Sequence, residues 1–181
     1  MPIKFDAEDK SLSDIFTGQE KYKIPRYQRP YSWTTDEVSD LWNDLKEEDS
    51  TFLGSFVFNY EKYNEDKFVE VIDGQQRLIT LMILLAVLRD LYKELGDDEG
   101  ANLTQNLISH KDQITRIEDY RLKCGDSLNT FFMENIQKKN SDVLSANPKR
   151  KELRAIKENY KFLKEGISAE LQLIKDKARK I

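Results

Sequence analysis

The sequence predicts an α+β fold: a small mixed or antiparallel sheet packed on a buried helix, followed by a helical region. Three observations support this. Segments 52–60 and 68–72 are rich in aromatic and β-branched residues and flank the polar turn EKYNEDK, the pattern of an antiparallel hairpin. Segment 75–95 has Leu78, Leu81, Met82, Leu85, Leu88, Leu91, Tyr92 and Leu95 at helical spacing, with Ile79, Ile83 and Leu84 on the flank. A helix so apolar over three turns must be buried on most sides. After Gly96 the composition shifts, and GDDEGANLTQN reads as a loop before further helices. The reading divides the chain into an α/β half, 1–96, and a helical extension, 97–181.

The remaining elements follow from local signals. Ser11 or Ser13 caps a short helix over 12–16 that Gly18 stops, and a short strand follows over 22–24. Pro25 and Pro30 make RYQRPYSW a loop, since they prevent both helix and interior strand. Thr34 or Thr35 caps the next helix, with Glu37 near the third position and Val38, Leu41, Trp42 and Leu45 on one face. An extended piece is expected at 120–123 and a helix break near SANPKRK. The last helix meets no stop signal before Ile181, so the reading expects the chain to be part of a longer protein.

Composition removes several function classes. Charged residues make up 34% and the hydrophobic set 39%, values of a soluble, rather polar globular protein. The longest apolar run, 78–88, is too short for a bilayer, and MPIKFDAEDK lacks the apolar region of a secretory signal. Cys124 is the single cysteine, which excludes an internal disulfide and a cysteine-cluster metal site, so a cytoplasmic location is expected. His110 is the single histidine and sits in a polar stretch, which argues against His-based nuclease or Ser/His/Asp chemistry within these residues. A net charge of −4 argues against a general polyanion binder. The charge is uneven: 36–49 is acidic and 149–164 is basic, although alternating charge on a helix is ordinarily a solvated face.

The stretch VIDGQQRLITLMILL places five polar or flexible residues between a strand and the buried helix. The first turn of a helix leaves amide N–H groups unpaired and partially positive, which suits a phosphate. Gly74 permits a sharp turn and close approach of a ligand. Arg77 would grip phosphate oxygens with its planar fork, and Gln75 and Gln76 would hold a sugar hydroxyl or a water. Asp73 would hold Mg2+ or orient an attacking water. The alternative is purely structural: Asp73 caps the helix and Arg77 pairs with it or with Glu70. The second constellation, IPRYQRPYSW, offers Arg26, Gln28 and Arg29 for phosphate and Tyr27, Tyr31 and Trp33 for stacking a base. Its alternative is a packed aromatic loop with structural arginines.

Taken in order, IPRYQRPYSW, WNDL, FLGSFVF and VIDGQQRLITLMILL resemble the N-terminal domain of GmrSD-type proteins, in the ParB/sulfiredoxin-like nuclease superfamily. SspE-type effectors of phosphorothioate-based defence have a similar domain. The resemblance covers about 12–95, and RLKCGDSLNTFF and ENYKFL resemble its helical continuation less specifically. It implies a ParB-like sheet, and a role in anti-phage, modification-dependent (type IV-like) restriction. It also implies that the DGQQR element, Asp73, Gly74, Gln75, Gln76 and Arg77, serves nucleoside-triphosphate hydrolysis or DNA nicking. Gly74 to Arg77 matches the superfamily's Gly-x-x-Arg turn, whereas Gln75 stands where sulfiredoxin-like activity needs a cysteine.

The partners implied are an NTP with Mg2+, foreign modified DNA, and an HNH nuclease unit in cis or trans. Three functions compete: an NTP-hydrolysing domain, a ParB-like nicking phosphodiesterase, and a non-catalytic sensor of modified DNA using the basic 149–164 region. There is no Walker P-loop, so nucleotide would have to bind by another route. The helical half also offers a surface for self-association into a homo-oligomer.

Overall fold

The computed structural model describes residues 6–18, 20–47, 52–61, 63–111 and 116–178. Helix α1, Leu12–Thr17, starts at Ser11, whose hydroxyl accepts from the Asp14 amide while the Asp14 carboxylate accepts from the Ser11 amide. Strand β1, Lys21–Lys23, leads into the proline-bounded loop. Helix α2, Thr35–Lys46, has a second capping box, Thr34 with Glu37, in which the Glu37 carboxylate accepts from the Thr34 amide at 2.7 Å. Thr34→Ala is expected to destabilise the chain by about 1 kcal/mol, read as a fall of a few degrees in melting temperature. No change in melting temperature would mean that the box adds nothing.

Strand β2, Val57–Asn59, the short helix α3, Tyr63–Asp66, and strand β3, Phe68–Asp73, form the expected hairpin. β2 and β3 pair antiparallel with an irregularity between Val57 and Phe58, while β1 lies parallel to β3. The strand expected over 52–60 is thus confined to 57–59. Gly54 adopts φ +89°, and the carbonyls of Leu53 and Ser55 accept from Arg77 instead of from a neighbouring strand.

Helix α4, Gln75–Glu94, is buried on nearly every side through its first half, from Gln75 and Gln76 through Leu84 apart from Arg77. Tyr92 and Leu95, expected on the buried face, are exposed where the helix emerges. GDDEGANLTQN is mostly helix rather than loop. Helix α5, Asp98–Ile108, begins at Asp97, whose carboxylate accepts from the Gly100 amide at 2.8 Å. Asp98 and Glu99 suit the positive end of the helix dipole.

Strands β4, Ser109–Lys111, and β5, Glu118–Tyr120, form a two-stranded antiparallel ribbon. Strand β6, Leu122–Lys123, completes the main sheet, whose order is β2-β3-β1-β6 with β6 parallel to β1. Helix α6, Asp126–Phe132, continues into a π-helical turn, Met133–Gln137. The Gln137 side chain pairs with the backbone of Leu122 like a further strand, donating to its carbonyl at 2.9 Å and accepting from its amide at 3.2 Å. Helix α7, Lys151–Ala178, ends the described residues, so the expected run to Ile181 lies partly outside them.

Tyr22, Val69, Val71 and Leu122 point from the sheet into the same buried cluster as α4. That cluster also takes in Ile108, Phe132, Ile136, Ile156 and Leu163, so apolar burial runs across residue 96. Burying these side chains together is the main stabilising contribution, about 1.5–3 kcal/mol for each large one. The fold is therefore α+β, with a small mixed sheet on a buried helix and helices after it. Among the described residues, no helix is long and apolar enough to cross a membrane.

Candidate phosphate site

β3 delivers Asp73 and Gly74 to the start of α4. Asp73 is exposed at the strand end. Gly74 adopts φ +87°, a left-handed conformation that turns the chain from strand to helix within one residue. Its missing side chain matters as well, because a Cβ there would lie 2.5 Å from the Phe56 ring. Among the described residues no side chain caps the helix, so Asp73 is not its N-cap. The amides of the first turn have no side-chain acceptor, as at any helix start without a capping side chain.

The two glutamines do work that the sequence did not reveal. Gln76 brackets Tyr31: its Oε1 accepts from the Ser32 amide at 2.8 Å and its Nε2 donates to the Pro30 carbonyl at 3.2 Å. Gln75 Nε2 donates to the Arg29 carbonyl at 3.2 Å. Gln28, from the loop side, donates to the Ile72 carbonyl at 2.9 Å. DGQQR and the proline-bounded loop are thus one unit, held together by side-chain amides satisfying irregular backbone. Gln75 is 6% exposed, and its Oε1 is buried without a hydrogen-bond partner among the described residues. A buried acceptor left unpaired costs about 1–3 kcal/mol.

Arg77 is arranged differently from either sequence reading. Its guanidinium donates to the Leu53 carbonyl and, at 2.6 Å, to the Ser55 carbonyl, and lies 4.9 Å above the Phe56 ring. The fork expected for phosphate, or for Asp73 or Glu70, is occupied by main-chain carbonyls. Gly54 makes room for it, since a Cβ there would lie 2.0 Å from the guanidinium. Gly54 and Phe56 are participants that the sequence reading passed over. The signal was a glycine inside an otherwise alternating strand, which often marks a close approach.

The aromatic candidates separate. Tyr31 is 2% exposed, so its ring has no free face for a base. Trp33 is half-buried and packs against the core. Tyr27 is 73% exposed and is the one of the three open to stacking. Arg26 and Arg29 are also exposed on this loop.

Asp73 is the carboxylate closest in sequence to the helix start. Among the described residues, no group of three or more His, Cys, Asp or Glu is placed to hold a metal. Mg2+ carried on nucleotide phosphates would need only one or two protein carboxylates. Cys124 is fully buried, and burial pushes its thiol pKa up, away from nucleophilic use. His110 is exposed on β4. In the basic region, Arg154 donates to the Lys149 carbonyl, Lys157 to the Ala146 carbonyl, and Lys164 pairs with Glu94 at 2.5 Å. Much of that charge is engaged within the fold.

A family model described as the N-terminal domain of the GmrSD restriction endonuclease matches residues 12–180. This is nearly the whole chain, and the chain belongs to that family. No curated protein matches it.

Proposed function

From that membership and the geometry at the start of α4, we propose a nucleotide-binding, NTP-hydrolysing domain. It would serve a prokaryotic anti-phage restriction system that acts on, or regulates cleavage of, foreign modified DNA. The supporting observation is the combination at one helix start of uncapped amides and a buried, unpaired acceptor, Gln75 Oε1. A bare phosphate needs donors only. A nucleotide offers phosphate oxygens for the amides and a hydroxyl or an ordered water for Gln75.

On this reading Arg26 and Arg29 meet phosphate oxygens, Tyr27 stacks on the base, and Gly74 keeps the approach open. Gln76 and Arg77 hold the two loops that frame the site rather than touching the nucleotide. Asp73 would hold Mg2+, which supplies charge neutralisation at the phosphates, or orient the attacking water. Cutting of DNA belongs to an HNH unit in cis or trans, because the single histidine, His110, lies on the β4–β5 ribbon.

The test is phosphate release from each of the common NTPs in the presence of Mg2+. Wild type is expected to turn over at least one of them, and Asp73→Asn to lower kcat about a hundredfold. Asp73 is exposed, so the variant should melt with wild type. Equal turnover by wild type and Asp73→Asn would overturn the role of Asp73. Relaxation of supercoiled plasmid without any NTP would overturn the whole reading in favour of a phosphodiesterase.

A further inference from the structure

A chain of buried hydrogen bonds runs from α7 to the first turn of α4. Asn159 on α7 is 1% exposed. Its Nδ2 donates to the Trp33 carbonyl at 2.9 Å, and since a carbonyl only accepts, this sets which end of the amide faces the loop. The same Nδ2 donates to Tyr31 Oη at 2.9 Å. The Thr80 hydroxyl lies 2.8 Å from Tyr31 Oη, where either hydroxyl can donate, and 2.9 Å from the Gln76 carbonyl. Burial pushes the Tyr31 pKa up to about 12, which keeps the phenol protonated. The order is Asn159 to Tyr31 to Thr80 to the carbonyl of Gln76, the residue whose side chain brackets Tyr31.

We propose that Asn159 is a positioning residue for the phosphate site, through which α7 sets the placement of the loop bearing Arg26, Tyr27 and Arg29. This rests on the nucleotide reading above and extends it to a helix about 80 residues further along the chain. Two features make Asn159 more than a packing residue. It contacts the loop on both sides of Ser32, at Tyr31 and at the Trp33 carbonyl. Its Oδ1 has no partner among the described residues, so the side chain is retained in an apolar interior for its donors alone. The far end of α7 is tied to α2, where Glu170 accepts from Lys46 at 2.9 Å and from Trp42 at 3.4 Å. Movement of α7 would therefore be felt at both ends of the segment from Tyr31 to Lys46.

The test uses Asn159→Leu, which removes both donors at similar size, and Tyr31→Phe, which breaks the chain in its middle with packing kept. Amide hydrogen exchange without nucleotide is read first, alongside urea denaturation. Both variants are expected to speed exchange over residues 26–34 at least tenfold more than over α5. Steady-state hydrolysis is read second. Each variant is expected to raise KM about tenfold with kcat within threefold of wild type, and the double variant to be no worse than the worse single one. Uniform acceleration of exchange, or wild-type exchange over 26–34, would overturn the proposal. So would a wild-type KM in Asn159→Leu. If the wild-type protein turns over no NTP, the nucleotide reading fails, and the exchange pattern alone decides whether α7 positions the loop.

Discussion

Arg89→Met is expected to destabilise the protein by about 3–5 kcal/mol, the range found when one partner of a buried ion pair is removed. The corresponding fall in melting temperature is roughly 10 °C. Arg89 is almost fully buried on α4. Its Nε donates to Asp90 at 2.7 Å, and one terminal nitrogen donates to Gln105 at 2.9 Å and to the carbonyls of Ile136 and Gln137 at 3.0 and 3.3 Å. Those carbonyls close the π-helical turn, where the chain leaves the helix and its last acceptors have no intrahelical donors. Methionine fills much of the volume and satisfies none of them. Asp90 would keep its bond from Tyr160 Oη, 2.7 Å, and lose the charge beside it. Arg89→Lys is expected to recover less than half of the loss, because an ammonium cannot present the planar fork that reaches Asp90 and the carbonyls together. Urea denaturation followed by circular dichroism measures both. A cost under 1 kcal/mol for Arg89→Met would show that the carbonyls find other donors.

Arg89 also shows why part of this molecule could not be read from its residues. Periodicity and capping residues are local, and they marked α1, α2, α4 and the hairpin close to where they lie. Many acceptors of the half-buried Arg77 and of the buried Arg89 and Arg121 are main-chain carbonyls, which leave no mark in a sequence. Arg77 holds the carbonyls of Leu53 and Ser55, Arg89 those of Ile136 and Gln137, and Arg121 those of Gly18, Glu20 and Leu107. An arginine at a helix start therefore suggested phosphate when its fork was already filled from within. Gln75 and Gln76 have the same history, since their loop partners are 46 residues distant. The separation of Tyr27 from Tyr31 was equally hidden, because it depends on Thr80 and on Asn159, which lies 128 residues from Tyr31. The start of α5 was legible and was misjudged: Asp97 followed by two acidic residues is a helix-start signature, and the composition shift after Gly96 was read as a loop instead.

Gly74→Ala is expected to destabilise the protein by about 2–4 kcal/mol, from two separable causes. The first is the backbone: φ +87° is a conformation a side chain resists. The second is contact, because the new Cβ would lie 2.5 Å from one Phe56 ring carbon and 3.0 Å from the next. Phe56 has little room to retreat. It stacks on Phe58 at 5.9 Å between ring centres, and Phe58 in turn packs on buried Tyr22 at 5.1 Å. A double-mutant cycle with Phe56→Ala separates the two causes. With the ring gone, Gly74→Ala should cost only its backbone share, about 1–2 kcal/mol. Equal cost in both backgrounds would mean that the ring yields freely and that contact plays no part. The unequal result would have a consequence for the site, since Phe56 is the ring beneath the Arg77 guanidinium. A residue displaced at Gly74 would then release the clasp on the 53–55 loop as well as blocking the helix start. Gly74 is thus required twice, once for the turn that aims the α4 amides and once for the ring that seats Arg77.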